Sequence, residues 1–178
     1  MKSILVSTIS VLAIVGCAGI PQGLGPLRLV GKVDTQRYLG RWYEIARFQH
    51  SFEKSLAGVT AEYSLRDDGK IRVVNSGFRG GLDGPYTEAK GVAWIPDPSR
   101  PAALKVQFFW PFSGDYHIFG LDDEGYSWAL VGDDSRSYLW FLARTPEISR
   151  ELYESMQQAA RDQGYDLSRL YTVPQKPR

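Results

Sequence analysis

The chain has 178 residues, of which 43% are hydrophobic and 23% are charged, and these values fit one globular domain rather than a disordered or collagen-like chain. Lys and Arg number 21 against 20 Asp and Glu, so there is no basic excess that would favour nucleic-acid binding. The single cysteine excludes an intramolecular disulfide and any multi-cysteine zinc or iron–sulfur site.

Residues 1–16 have the pattern of a signal peptide. Lys2 provides a basic start, and residues 4–15 form an apolar run that is shorter than the ~20 residues of a membrane-spanning helix. The run ends at Ile14-Val15-Gly16-Cys17, which resembles a bacterial lipobox, in which the cysteine is acylated and becomes the new N-terminus. The alternative is an ordinary signal peptide that is cut nearby and leaves a thiol. Ala18 rather than aspartate follows the cysteine, and this resemblance implies sorting to the outer membrane.

The segment after the cysteine is predicted to be a tether. Residues 17–33 contain several glycines and prolines and have no helical period. Two acyl chains on Cys17 would make membrane anchoring stable. The folded domain is predicted at residues 34–174, followed by a short tail at 175–178, and the tether would let this domain face the periplasm and the membrane that holds it.

From residue 42 to residue 144 the pattern is that of successive strands. Val59, Ala61 and Tyr63 alternate with polar residues, which is the period-two signature of a half-buried strand. Asp67-Asp68-Gly69 then favours a hairpin turn. Eight strands are predicted, at residues 42–49, 59–66, 71–77, 86–95, 103–109, 116–121, 126–132 and 138–144. This spacing is typical of an all-β sandwich or barrel.

One helix is predicted, at about residues 149–163. Ser149 is suited to cap it, apolar residues recur at spacings of three and four, and Gly164 ends it. The preceding strand has two apolar faces, so both must be covered. We expect the helix to cover one of them from outside, the face formed by Leu139, Phe141 and Ala143.

Two runs carry a resemblance to a known family. Residues 38–47 contain Gly40-Arg41-Trp42, which resembles the Gly-x-Trp signature of lipocalins, and residues 138–146 contain Arg144, which matches the family's third motif. Together with the lipobox, these runs are similar to the bacterial outer-membrane lipoprotein lipocalins, relatives of apolipoprotein D. The resemblance covers residues 34–173. It implies an eight-stranded antiparallel up-and-down barrel with one C-terminal α-helix outside.

The signature residues are interpreted as structural. Barrel closure brings the first and last strands together, so Trp42 and Arg144 are expected to meet in a cation–π contact that closes one end. Gly40 is expected to allow a close approach of the backbone. Glu44 shares the parity of Trp42 and is expected to point inward, where a hydrogen bond, an arginine partner or a proton must compensate its burial.

The inward face is predicted to be mostly apolar and aromatic, as in small-molecule pockets. Small residues on it, Ala46, Ala61 and Gly77, favour a hollow interior over one filled by its own side chains, and both alternatives stay open. The resemblance implies that Tyr63, Asn75 and Trp140 line the pocket. The predicted ligand-binding residues are Ala46, Phe48, Ala61, Tyr63, Val73, Asn75, Leu104, Val106, Phe108, Tyr138, Trp140 and Leu142.

The resemblance implies binding of a fatty acid or a lysophospholipid, for lipid transport, storage or scavenging in the cell envelope. Neither a cofactor nor a metal is expected, because His50 and His117 lack metal-ligand spacing and no catalytic motif appears. A barrel enzyme acting on a lipid or isoprenoid, and a structural lipoprotein with a filled barrel, are the alternatives. The loop Phe109-Trp110-Pro111-Phe112 is expected at one rim, where it would contact lipid, form a homodimer or pack on its own barrel.

Overall fold

The computed structural model of the chain describes residues 23–176. The predicted signal peptide and Cys17 lie outside this range. Within it, the helices are α1 (Thr35–Tyr38) and α2 (Arg150–Asp162), and a single 3₁₀ turn covers Leu167–Arg169. The strands are β1 (Gly40–Phe48), β2 (Leu56–Leu65), β3 (Ile71–Arg79), β4 (Tyr86–Trp94), β5 (Ala103–Phe109), β6 (Phe112–Leu121), β7 (Trp128–Gly132), β8 (Leu139–Ala143) and β9 (Leu170–Thr172).

The first eight strands form a closed antiparallel barrel. Each strand from β1 to β7 pairs with the next one, and β1 also pairs with β8, which closes the sheet. Trp42 lies opposite Ala61 on β2, and Tyr43 lies opposite Ala143 on β8. The predicted barrel is therefore confirmed. The sequence pattern missed the ninth strand, β9, which pairs with the end of β1.

Two apolar clusters lie on the two faces of the sheet. One fills part of the barrel interior and includes Trp42, Tyr63, Val73 and Leu142. The other lies between the outer face of the barrel and α2. Its members include the strand residues Leu139, Phe141 and Ala143 and the helix residues Met156 and Ala160. The predicted position of the helix is confirmed, and its cap is in place, because the Ser149 hydroxyl accepts a hydrogen bond from the Leu152 amide.

A register shift in β1 changes which residues face inward. Between Glu44 and Ala46 the pairing with β8 slips by one residue, and such a bulge reverses the alternation beyond it. Ala46 and Phe48 consequently pack in the cluster under α2, outside the barrel. Their predicted inward orientation was wrong because strict alternation was carried through the bulge. Arg47, which strict alternation would turn outward, comes to lie beside Glu44 instead.

The N-terminal segment packs on the barrel earlier than predicted. Leu27 is buried, and its amide donates a hydrogen bond to the Asp134 carboxylate at 2.9 Å. The Val30 amide pairs with the carbonyl of Ile118 on β6. Asp34 then caps the short helix α1. The predicted tether of residues 17–33 is too long, since its last seven residues belong to the folded domain.

The C-terminal segment covers a gap between β1 and β2. These strands pair only from Gly40 to Tyr43 and then diverge. In the gap, the Gly58 amide donates to the Pro174 carbonyl at 2.7 Å. The Gln175 side-chain amide donates to the carbonyls of Glu44 and Val59, at 2.8 and 3.0 Å, and so links the two strands. We name this arrangement the seam.

Replacing Gln175 with alanine is expected to lower the free energy of unfolding by about 1–2 kcal/mol, because two hydrogen bonds to part-buried carbonyls are lost. Urea denaturation of purified protein measures the change. Gln158→Ala is the matched control, because the Gln158 amide bonds only the exposed Asp162. A loss of equal size in both variants would show that the seam does not depend on Gln175.

Candidate functional site

The two ends of the barrel differ. Because the strands alternate in direction, the connections at residues 49–55, 80–85, 110–111 and 133–138 meet at one end, which we call the open end. Helix α1, the start of β1 and the connections at 66–70, 95–102 and 122–127 meet at the opposite, closed end. Any ligand that enters the interior must pass the open end.

Arg144 organises the closed end. Its guanidinium lies 3.8 Å from the centroid of the Trp42 ring, so the predicted contact is present. It also donates hydrogen bonds to four backbone carbonyls, those of Arg37, Tyr38, Arg41 and Tyr126. One side chain thereby joins α1, β1 and the β6–β7 connection.

The first glycine of the signature motif acts through its backbone conformation. Gly40 has a φ of +89°, which L side chains rarely adopt, whereas a Cβ there would meet only Arg144 Nη1 at an ordinary 3.5 Å. The expected close approach is therefore not the reason for this glycine. Its positive φ lets the chain turn from α1 into β1 beneath Arg144.

Three tyrosine hydroxyls form a hydrogen-bonded chain in the interior next to the closed end. The hydroxyl of Tyr116 on β6 lies 2.9 Å from that of Tyr38 and 2.9 Å from that of Tyr63. Burial raises the pKa of all three phenols above the ordinary value, so they remain neutral donors. Three hydroxyls supply three protons, and their two mutual contacts use only two. One O–H therefore stays available to an acceptor in the interior.

The structure places most of the predicted binding residues in the interior. Asn75 lies directly opposite Ala61 and so shares its inward face. Its side-chain oxygen is buried and has no hydrogen-bond partner among the described residues. Val106, Phe108 and Trp140 remain half-buried. The predicted residues in or against the interior cluster are Ala61, Tyr63, Val73, Leu104, Val106, Phe108, Trp140 and Leu142.

The small residues give less room than expected. A Cβ at Gly77 would lie 3.1 Å from the side chain of Val59, so that space is already occupied. Likewise, the ring of Phe108 covers Gly91 on β4. Ala46 lies outside the barrel, and only Ala61 of the three predicted small residues still contributes space inside.

A buried ion cluster lies between β1 and the β1–β2 connection. The Arg47 guanidinium forms an ion pair with Glu44, lies 3.7 Å from the Glu53 carboxylate and donates to the carbonyls of Glu53 and Leu56. All three ionisable side chains are buried. The burial of Glu44 is thus compensated by an arginine partner, which is one of the three expected alternatives. Sequence patterns missed Arg47 and Glu53, because the bulge hides the first and the second lies in a connection.

The cluster contains two carboxyl groups for one guanidinium. Burial and the nearby Glu44 raise the pKa of Glu53 from 4.5 to about 8, although Arg47 opposes the shift. Burial also raises the pKa of Glu44. At neutral pH the Glu53 carboxyl therefore carries a proton, and the cluster avoids a net buried charge. The Trp140 indole donates to Glu53 at 3.2 Å, which connects the cluster to the interior.

An aromatic stack leads from the interior to the open end. Tyr138 does not lie inside as predicted: it precedes β8, is 37% exposed and stacks on Trp140 with ring centroids 5.8 Å apart. His50 lies 4.1 Å from the Tyr138 ring and 5.5 Å from the Phe52 ring. The β7–β8 connection holds Tyr138 at the open end, because the Tyr138 amide donates a hydrogen bond to the Asp133 carboxylate.

The comparisons with known proteins agree with this architecture. Residues 33–175 match the model of a lipocalin-like domain. This chain belongs to the lipocalin family. The outer membrane lipoprotein Blc of Vibrio cholerae is 42% identical to this lipocalin over 99% of the chain and 100% of the relative. Blc of Escherichia coli K12 is 47% identical, over 83% of the chain and 82% of the relative.

The fold also matches a solved lipocalin-fold structure of low sequence identity. Insecticyanin from the tobacco hornworm Manduca sexta superposes with a TM-score of 0.67 at 17% identity, covering 86% of each chain. The predicted resemblance to bacterial outer-membrane lipoprotein lipocalins is confirmed. The motif residues Gly40, Trp42 and Arg144 lie together at the closed end of this lipocalin.

Residues 23–176 offer little outside the interior that could serve as a site. No group of three or more His, Cys, Asp or Glu side chains is arranged there to hold a metal ion. Two clefts of about 250 and 190 Å³ lie on the outer surface, the larger at the seam beside Gln175 and the smaller beside His117. The interior is thus the place where the predicted binding residues of this lipocalin come together.

Proposed function

We propose that this lipocalin binds one amphipathic lipid, a fatty acid or a lysophospholipid, inside its barrel and acts as a carrier or store of lipid rather than as an enzyme. The observation that carries the proposal is the Asn75 side-chain oxygen, which is buried without a partner among residues 23–176 on the strand face that it shares with Ile71 and Val73. Buried polar atoms are nearly always paired, so this oxygen is suited to a donor on the ligand, which the free glycerol hydroxyl of a lysophospholipid supplies and an ionised fatty acid does not.

The chemistry of the interior fits such a ligand. An acyl chain beside Val106, Phe108 and Trp140 would gain roughly 25 cal/mol for each Å² of apolar surface removed from water. The spare hydroxyl proton of the tyrosine chain and the Asn75 amide supply the few polar contacts that orient a ligand. The absence of enzymatic activity is part of this proposal, and a lipid- or isoprenoid-modifying enzyme is the alternative.

The proposed location is the outer membrane, through acylated Cys17, with the barrel facing the periplasm. The relatives from Vibrio cholerae and Escherichia coli are named outer membrane lipoproteins, which supports this location. In the part of the chain that the structure covers, no helix is both long and apolar enough to cross a bilayer.

Replacing Asn75 with leucine separates binding from stability. We expect lysophospholipid affinity to fall about three- to tenfold, because one hydrogen bond to the ligand is lost. The melting temperature should stay equal or rise, because a buried unpaired oxygen is removed. Titration of Trp140 emission with lysophospholipid measures binding. Val74→Thr, one residue along β3 on the other face, is the control.

Native mass spectrometry of detergent-free protein after exposure to lipid extract tests the function itself. One lipid per chain, released unchanged, is the expected result. A chain that stays free of lipid in every extract, with Trp140 emission unmoved by fatty acid and lysophospholipid, would contradict the proposal. Conversion of the lipid to a product would favour the enzyme instead.

A further inference from the structure

Exposed aromatic side chains gather at the open end. Phe109, Trp110 and Phe112, at the tip of the β5–β6 hairpin, are 76%, 86% and 61% exposed. Phe52 in the β1–β2 connection is 60% exposed, and Tyr86 at the start of β4 is 59% exposed. We call these five residues the aromatic rim. Large apolar side chains that are exposed together at one end of a protein mark a site of contact with another apolar surface.

The rim continues into the interior. Phe52 begins the stack that passes through His50 and Tyr138 to Trp140. Trp140 in turn packs against the interior cluster. An acyl chain that moves along this stack from the rim to the interior stays against aromatic surface on one side throughout.

The chain enters the folded domain at the same end. Leu27 is held by Asp134, which lies in the β7–β8 connection of the open end. Leu27 follows Cys17 by ten positions in the chain, and this stretch extends to at most ~35 Å. An anchor at residue 17 therefore lets the open end lie against the membrane surface, because the chain enters the folded domain at this end rather than at the closed end.

From the coincidence of rim and anchor, we propose that the aromatic rim is seated in the headgroup region of the membrane, so that lipid passes between bilayer and barrel without crossing water. This inference rests on the proposed acylation of Cys17 and deepens the proposed function. Tryptophan and tyrosine are the residues that favour the membrane–water interface. A homodimer that is formed through the two open ends would instead turn both openings away from the lipid.

Quenching of tryptophan emission by brominated lipids tests the position of the rim. The full acylated chain is reconstituted into vesicles of phosphatidylethanolamine and phosphatidylglycerol, with bromine on the upper part of the acyl chains. We compare the wild type with Trp110→Phe and with Trp128→Phe, whose site lies at the start of β7 near the closed end. The wild type and Trp128→Phe should be quenched, and Trp110→Phe should lose most of the quenching.

The design separates the rim from the interior. All three proteins keep Trp140, so quenching by lipid taken into the barrel is common to them and reports the proposed function alone. Equal quenching in the wild type and Trp110→Phe would overturn the rim proposal. Blue-shifted Trp110 emission that brominated lipid does not quench, with cross-linked pairs of chains in the vesicles, would overturn it in favour of a homodimer.

A second variant tests lipid transfer. Trp110→Ser with Phe112→Ser should slow the uptake of lysophospholipid from vesicles about tenfold, because interfacial binding scales with apolar area. The affinity for lysophospholipid in solution should stay within about twofold of the wild type, because neither side chain belongs to the interior cluster. Unchanged uptake would contradict the proposal.

Discussion

Replacing Arg144 with alanine is expected to lower the free energy of unfolding by about 3 kcal/mol, and the melting temperature by roughly 6–12 °C. The variant loses the contact with the Trp42 ring and leaves four carbonyl groups without their shared donor. Thermal unfolding followed by circular dichroism measures the shift. Affinity for lysophospholipid at low temperature should be largely kept, because the guanidinium lies beneath the interior and not beside the proposed ligand.

Two further variants show whether the geometry or the charge of the Arg144 side chain is responsible for the stability that Arg144→Ala loses. Arg144→Lys keeps the positive charge but not the planar fork that reaches several carbonyls, so it should lose more than half of the same stability. Arg150→Ala removes an exposed pair with Glu154 on α2 and should cost under about 0.5 kcal/mol. An Arg144→Ala protein that is stable but no longer binds lipid would contradict the structural role.

The second large effect concerns pH. Glu53→Gln is expected to make the protein more stable than the wild type by a few kcal/mol at pH 8, with little difference near pH 4.5. The pKa of Glu53 rises from 4.5 to about 8 on folding, so between these values the folded state holds a proton that the unfolded state has released. In the wild type this group therefore lowers stability as pH increases, by up to about 1.4 kcal/mol per pH unit.

Glutamine resembles the protonated carboxyl, accepts from the Trp140 indole and has no proton to lose. Urea denaturation between pH 4.5 and 9 gives the difference between variant and wild type, which removes the contribution of other groups. The raised pKa is a property of Glu44 and Glu53 together, since the pKa of Glu44 is raised as well. Glu62→Gln, which removes an exposed pair with Arg41, is the control for the loss of one carboxylate. If the difference in the free energy of unfolding between Glu53→Gln and the wild type does not change with pH, Glu53 is not protonated in the folded protein at neutral pH.

The sequence predicts the barrel and its closed end because both depend on local patterns. Period-two alternation, turn residues and the Gly40-Arg41-Trp42 motif are read directly from the chain, and the contact of Trp42 with Arg144 follows from closure. The same patterns fail at the bulge in β1. A one-residue slip there sends Ala46 and Phe48 outward and Arg47 toward Glu44, and no local signal marks it.

Interactions between distant parts of the chain escape a reading of local patterns. Glu53 is recognised only when its connection folds over Arg47, and the tyrosine chain needs α1, β2 and β6 to meet. Tyr116 was nevertheless within reach, because it shares an inward face with Leu104 across β5 and β6. Asp34 before Thr35 was also an available signal for α1, since its carboxylate accepts from the amides of Gln36 and Arg37.

The seam has a consequence for how the molecule is made. Gln175 joins Glu44 to Val59, so β1 and β2 depend on a residue that lies 131 and 116 positions later in the chain. β1 likewise waits for β8, and such long-range pairing slows folding. The barrel is therefore complete only after these later residues have been added to the chain. A substitution at Gln175 would disturb this step of assembly, and a label placed at the exposed Asp67-Asp68-Gly69 turn would leave it undisturbed.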